Sequence, residues 1–179
     1  MEFTPAESET LLSILQWRRD VRHFRRDPVD EALLEQLRAT MDRAPSVGNA
    51  RPWRVLRVQS PSLRAEVRAN FQRCNDQAAK LYTGDKHAEY LALKLAGLDA
   101  APVQLAVFTE MDPAAGHGLG RQTLPEALRQ STAMAIFTLW LAARAQNLGL
   151  GMVSILDPAQ IEALFAVPAG WEFSAYLCI

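Results

Sequence analysis

A chain of 179 residues, 49% hydrophobic and 22% charged with a formal net charge of -1, has room for one domain with a real core and is short for two. That balance provides no overall basic field for nucleic acid or a membrane surface, so any anion site must be local. Cys74 and Cys178 form no close pair and no metal-type spacing, and no metal site is expected.

The first residues, Met1-Glu2-Phe3-Thr4-Pro5, lack the basic stretch and apolar core of a secretory leader. The longest apolar-rich run, Ala133 to Ala143, falls well short of the roughly 20 residues that cross a bilayer. The expected compartment is the cytoplasm, with no membrane and no nucleic-acid partner. Ser8 is the expected N-cap of a first helix, whose apolar positions Leu11, Leu12, Ile14 and Leu15 lead into Trp17-Arg18-Arg19-Asp20-Val21-Arg22-His23-Phe24. Arg grips two anionic oxygens at once, so a phosphorylated ligand is the simplest partner for this cluster. A solvated helix end has the same composition. The carboxylate set among guanidinium groups, and the apolar helix that delivers them, favour a ligand.

Asp30 opens a second helix whose stripe of Leu33, Leu34, Leu37 and Met41 predicts core. The turn-forming stretch Arg43-Ala44-Pro45-Ser46-Val47-Gly48-Asn49-Ala50-Arg51-Pro52-Trp53 offers Ser, Asn and backbone donors to a planar polar ligand, although an ordinary loop has the same residues. Strands are predicted at 53–58 and 103–108. Between them lie helical stretches at about 62–82, polar enough to read as surface or partner-facing, and about 85–98, with Leu91, Leu93, Leu95 and Leu98. Pro113, Gly116, Gly118 and Gly120 predict a flexible loop or lid. Its Gly116-His117-Gly118-Leu119-Gly120 lacks the helix-opening GxGxxG of a dinucleotide site. The helix predicted over 125–147 is apolar around most of its circumference and belongs in a domain centre or a subunit interface. Gly149 and Gly151 stop it, Met152 to Leu156 predicts a short strand, Asp157-Pro158 opens a helix to about Phe165, and 173–179 predicts a last strand. The chain stops inside that strand, and a native C-terminal segment beyond Ile179 is expected.

Six stretches occur together in order: Arg18-Arg19-Asp20-Val21-Arg22; Ala44-Pro45-Ser46-Val47-Gly48 followed by Pro52-Trp53; Leu93-Lys94-Leu95; Leu119-Gly120-Arg121; Leu139-Trp140-Leu141-Ala142-Ala143-Arg144; and Gly151-Met152-Val153-Ser154-Ile155. In this order they resemble the nitroreductase-like flavoproteins and, more narrowly, their 5,6-dimethylbenzimidazole synthase branch. The resemblance runs over about 14–179. It implies an α+β fold with a central, mostly antiparallel sheet surrounded by helices. It further implies one FMN-binding domain over 1–179, a domain-interleaved homodimer with FMN at the subunit interface, and no metal. It implies FMN contacts from Arg18, Arg19, Asp20, Val21, Arg22, Pro45, Ser46, Asn49, Leu93 and Ser154. Asp20 stands where ordinary nitroreductases usually carry Ser, and Ser154 matches a synthase-branch Ser near the reactive edge of the flavin.

For the synthase branch, the resemblance implies that reduced FMN is substrate and O2 co-substrate. The flavin ring system is fragmented, ribityl C1′ becomes part of dimethylbenzimidazole, and erythrose 4-phosphate leaves. A separate NAD(P)H flavin reductase would supply the reduced FMN. Such chemistry needs a base by the ribityl chain, a polar group to steer the reaction with O2, and a pocket closed to water. Asp20 and Ser154 are the expected catalytic pair. Two other functions fit the same residues: an NAD(P)H-dependent nitro- or flavin reductase using FMN as a recycled hydride carrier, and a flavin-binding protein without turnover. Asn49, which matches a flavin-contacting Asn of the general nitroreductases, suits the first of these.

Overall fold

Successive side chains of a strand point to opposite faces of its sheet, and here both faces are apolar. The computed structural model describes residues 1–91 and 97–179. Its helices are α1 (Pro5–Trp17), α2 (Glu31–Met41), α3 (Pro61–Ala79), α4 (Asp85–Leu91), α5 (Gly97–Ala100), α6 (Glu126–Ala145) and α7 (Pro158–Leu164). Strands β1 (Trp53–Arg57), β2 (Gln104–Glu110), β3 (Gly151–Val153) and β4 (Trp171–Cys178) form one antiparallel sheet in the order β1-β2-β4-β3. Leu105, Val107, Ala175 and Leu177 pack with α2 and α6 on one face. Ala106, Phe108, Tyr176 and Cys178 pack with α3, α5 and α7 on the other. The expected α+β class and central antiparallel sheet are what is observed.

A bulge interrupts the pairing of β2 with β4: Val107 faces Ala175, Phe108 faces Phe173, and Ser174 is the extra residue. The bulge keeps Phe173 on the face of Phe108, with ring centroids 5.9 Å apart. Beneath the other end of the sheet, buried Tyr176 donates from its hydroxyl to Gln104 Oε1 at 2.7 Å, and Gln104 Nε2 donates to Leu98 O at 3.1 Å. Burial raises the Tyr176 phenol above its ordinary range and pushes the neighbouring Cys178 thiol up to about 12.

Several boundaries differ from expectation for identifiable reasons. The first helix starts at Pro5, because Thr4 rather than Ser8 is its N-cap: Glu7 N donates to Thr4 Oγ1 and Thr4 N donates back to Glu7 Oε2. No residue of α1 is buried. By contrast α3, expected at the surface, sends Val67 and Phe71 into the core. β3 is shorter than expected, since the chain turns away after Val153 to reach the N-cap Asp157 of α7. The glycine-rich loop is docked rather than loose. Arg121 Nη1 donates to Pro113 O at 2.9 Å, and a Cβ on Gly116, whose φ is +79, would come 2.8 Å from Gly48 O.

α6 is the central packing element. It buries Leu128, Ala135, Ile136, Leu139 and Ala143 against the sheet and α2, while Met134 and Phe137 stay exposed. Among the described residues, no helix is long and apolar enough to cross a membrane, and no group of three or more His, Cys, Asp or Glu side chains could hold a metal ion. Leu139 is 1% exposed. Leu139→Ala should therefore lower stability by about 2–5 kcal/mol, read as a lower urea midpoint at unchanged slope.

Candidate functional site

Beyond Trp17 the chain leaves the helix in an extended conformation at Arg18 and runs beside the residues that lead into β3. Val21 N donates to Leu150 O at 3.1 Å, and Asp20 forms a parallel bridge with Leu150. Met152 N donates to Asp20 Oδ1 at 2.9 Å. In the sequence Asp20 is surrounded by arginines, yet in the structure its carboxylate is held by a backbone N–H from a distant strand. No ion pair joins it to Arg18, Arg19 or Arg22 among the described residues.

Two glycines make this approach possible. A Cβ on Gly151 would lie 2.1 Å from Val21 O, a backbone atom with nowhere to move, and a Cβ on Gly149 would lie 2.9 Å from Val21 Cγ2. Helix α6 supports the segment from below. Trp140 Nε1 donates to Arg19 O at 3.2 Å, and Arg18 Cζ stands 5.0 Å from the centroid of the same ring. In the sequence Trp140 stands in one of the six resemblance stretches, within an apolar helix, with no site role attached to it. Its ring nitrogen was the available signal, since a partly buried indole N–H needs an acceptor.

The arginines are presented differently. Arg19 folds back, with Nη1 donating to Gln16 O at 2.5 Å and to Arg18 O at 2.8 Å. Arg22 is exposed, and its guanidinium makes no hydrogen bond or ion pair among the described residues. Ser154 is also exposed, directly after β3 and two residues past the Met152 that holds Asp20, about 7 Å along the chain. Asp20, Val21, Arg22, Gly151 and Met152 share a small cleft with Cys178. Beside it opens a groove of about 490 Å³ lined by Ile136, Phe137, Trp140, Met152, Phe173 and Ser174, with the Arg129–Glu172 ion pair also on its wall. A separate apolar cavity between α2, α6 and β1 holds none of these residues.

Pro45, Ser46 and Asn49 lie elsewhere. Val47 N donates to Ser131 Oγ at 3.0 Å, which fixes their turn near the N-terminal end of α6. Ser131 and Trp140 are nine residues apart on that helix, which is two and a half turns: about 14 Å along the axis and opposite sides of it. Within one protomer, Arg18, Arg19, Asp20, Val21, Arg22 and Ser154 are gathered at one sheet edge, and Pro45, Ser46 and Asn49 are held away from them. Leu93 lies outside the described residues. The turn is conformationally committed: Asn49 and Arg51 have φ of 54 and 45, and Arg51 N donates to Ser46 Oγ at 3.1 Å. Left-handed non-glycine residues of this kind concentrate at functional sites.

The donor set suits FMN. Uncommitted guanidinium groups match a phosphate, the bare backbone at Gly151 allows close approach, and the aromatic groove matches a flat ring.

Fold and cleft define an α+β domain with a small cleft at the edge of its sheet where Asp20 and Arg22 meet. The chain belongs to the nitroreductase family, whose model matches residues 15–179. It is 62% identical over 179 residues to a 5,6-dimethylbenzimidazole synthase of Rhodobacter capsulatus, covering 100% of this chain and 86% of that one. It is 51% identical over 177 residues to a 5,6-dimethylbenzimidazole synthase of Rhodospirillum rubrum, covering 99% and 84%. Among solved structures it is similar to oxidized iodotyrosine deiodinase bound to FMN and 3-iodo-L-tyrosine, with a TM-score of 0.75, 25% identity, and 94% and 87% of the two chains covered. It also shares the fold of a BluB-like flavoprotein from Clostridium difficile 630, with a TM-score of 0.72, 18% identity, and 93% and 87% covered.

The two glycine contacts should be separable by mutation. Gly151→Ala, which meets backbone, should cost about 1–3 kcal/mol in urea unfolding. Gly149→Ala, which meets the Val21 side chain at 2.9 Å rather than backbone at 2.1 Å, should cost less. Equal effects would show that the segment around Val21 is not pinned as described.

Proposed function

We propose that this protein catalyses the 5,6-dimethylbenzimidazole synthase reaction. Support comes from whole-chain identities of 62% and 51% to proteins of that name. The structural observation that carries the proposal is the 2.9 Å hydrogen bond from Met152 N to Asp20 Oδ1. It fixes a carboxylate at the sheet edge and leaves Oδ2 as the oxygen able to take a proton. The chemistry that reduced FMN and O2 supply is fragmentation of the flavin ring system, with ribityl C1′ carried into dimethylbenzimidazole and erythrose 4-phosphate leaving.

The residues divide the work. Arg18 and Arg22 bind the phosphate and ribityl oxygens, and Trp140 holds Arg18 in place. Asp20 Oδ2 accepts a proton from ribityl C1′. The Ser154 hydroxyl orients the reacting edge, and the apolar walls of Ile136, Phe137 and Phe173 keep water out. A separate NAD(P)H flavin reductase in the cytoplasm supplies the reduced substrate.

The working unit is a two-fold homodimer. One protomer supplies the Arg18–Arg22 segment and Ser154, and its partner supplies Pro45, Ser46 and Asn49, which opposite sides of α6 keep apart within a single chain. Exposed apolar side chains support this assembly: Leu11, Leu12 and Trp17 on α1 are 51%, 64% and 62% exposed, and Phe137 on α6 is 45% exposed. Asn49 keeps one alternative in play, a reductase that recycles bound FMN.

The deciding experiment incubates the protein with reduced FMN in air and looks for dimethylbenzimidazole by mass. Intact FMN, with NADPH consumed against a nitroaromatic acceptor, would establish the reductase instead. Asp20→Asn should bind FMN nearly normally while product formation falls about 100-fold or more. Arg22→Ala should weaken FMN binding about tenfold. Leu12→Asp on α1, outside the groove and the cleft, should sediment as a monomer and lose FMN; a monomer that still binds FMN at full affinity would contradict the shared site.

A further inference from the structure

We infer that Asn70, on α3, is a positioning residue for Ser154, an inference that rests on the role proposed above for Ser154. Ser154 hangs between two fixed points. Upstream, Val153 is buried and paired with Tyr176 in the sheet. Downstream, Asp157 N donates to Asn70 Oδ1 at 2.9 Å. Three residues span at most about 10 Å of chain, so the backbone of Asp157 limits where the Ser154 hydroxyl can go.

The Asn70 amide bonds this loop and the helix it opens from both of its ends, and Oδ1 also accepts from Cys74 Sγ, one turn on along α3, at 3.7 Å. Asn70 Nδ2 donates to Gln160 Oε1 at 3.2 Å, and Arg73 Nη2 donates to the same oxygen at 2.8 Å. Gln160 in turn donates to Asp157, from Nε2 to Oδ2 at 2.8 Å and from its backbone N to Oδ1 at 3.1 Å. Capping of α7 is thus done by Asp157 itself. What Asn70 adds is the location of that cap relative to β3. Asn70 is 3% exposed and lies between the core residues Val67 and Phe71, where an apolar side chain would pack at lower desolvation cost. A buried amide aimed at a single backbone N–H trades that cost for a defined loop geometry.

The phosphate-binding arginines lie on a different segment, so loss of Asn70 should leave FMN binding intact and misplace only the serine. The expected fault is diversion: reduced FMN and O2 end as FMN and hydrogen peroxide, with two electrons and two protons passing to O2, in place of dimethylbenzimidazole. Four proteins test it: Asn70→Ala, Asn70→Asp, Ser154→Ala and the double variant Asn70→Ala/Ser154→Ala. In ligand-free protein, amide hydrogen exchange at Asp157 should speed up at least about tenfold in Asn70→Ala and clearly less in Asn70→Asp, which keeps the acceptor for Asp157 N but loses the donor to Gln160 Oε1. FMN dissociation constants should stay within about twofold of the parent. The ratio of dimethylbenzimidazole to peroxide should fall about tenfold or more in Asn70→Ala, recover in part in Asn70→Asp, and fall no further when Asn70→Ala is added to Ser154→Ala. If Ser154→Ala lowers the ratio but Asn70→Ala does not, or if the two losses multiply, Asn70 does not act through Ser154. If Ser154→Ala itself leaves the ratio unchanged, the proposed role of Ser154 fails first and this inference with it.

Discussion

The site depends on one steric fact: the carbonyl of Val21 rests where a side chain at position 151 would have to be. Without a Cβ on Gly151, the extended segment after α1 comes close enough for Val21 N to reach Leu150 O and for Met152 N to reach Asp20. β3 is one of the two edge strands of the sheet, and exposed edges invite pairing with other chains. The protein's own N-terminal segment covers the lead-in to this one. Edge protection and placement of the carboxylate are therefore a single structural solution.

The scaffold behind that edge is stabilised mainly by apolar layers on the two faces of the sheet. The ion pairs, such as Arg38 with Glu35 and Arg129 with Glu172, are largely exposed, where water screens most of their attraction. Arg64 is the more informative cation. It donates to three carbonyls, Val58 O at 2.8 Å, Ala101 O at 3.2 Å and Pro102 O at 2.9 Å. These bonds tie α3 to the end of β1 and to the turn before β2. Asn70 sits further along the same helix, so the helix that fixes the Ser154 loop is itself bolted to the sheet.

The sequence made local rules legible and distant contacts invisible. Helix α2 reads directly from its Asp30 cap and its apolar stripe, and β2 from the mostly apolar run 103–108. The Thr4/Glu7 capping box is an equally local signal, but Ser8 competes with it in the sequence because a serine also suits an N-cap. Burial of α3 could not be read from a polar-rich pattern, since its buried face is Val67, Phe71 and Ala79 interleaved with two asparagines, Asn70 and Asn75. The site divided in the same way. Arg18 to Arg22 announce an anion partner through charge density, and family resemblance singled out Asp20 and Ser154. Periodicity carries no information about Met152 N–H, Trp140 or Asn70, which join residues separated by most of the domain. Nor could it reveal that the Ser46 turn and the arginine segment occupy opposite sides of one helix.

The buried thiol of Cys178 borders the same cleft as Asp20 and is 1% exposed. Oxidants attack the thiolate rather than the neutral thiol. With its ionisation pushed up to about 12 by burial, Cys178 remains protonated at any physiological pH. A pocket proposed to bring reduced flavin and O2 together would expose a reactive sulfur to peroxide at every unproductive turnover. Here burial disfavours the thiolate of the sulfur beside the pocket, which slows the first step on the path from sulfenic to sulfonic acid.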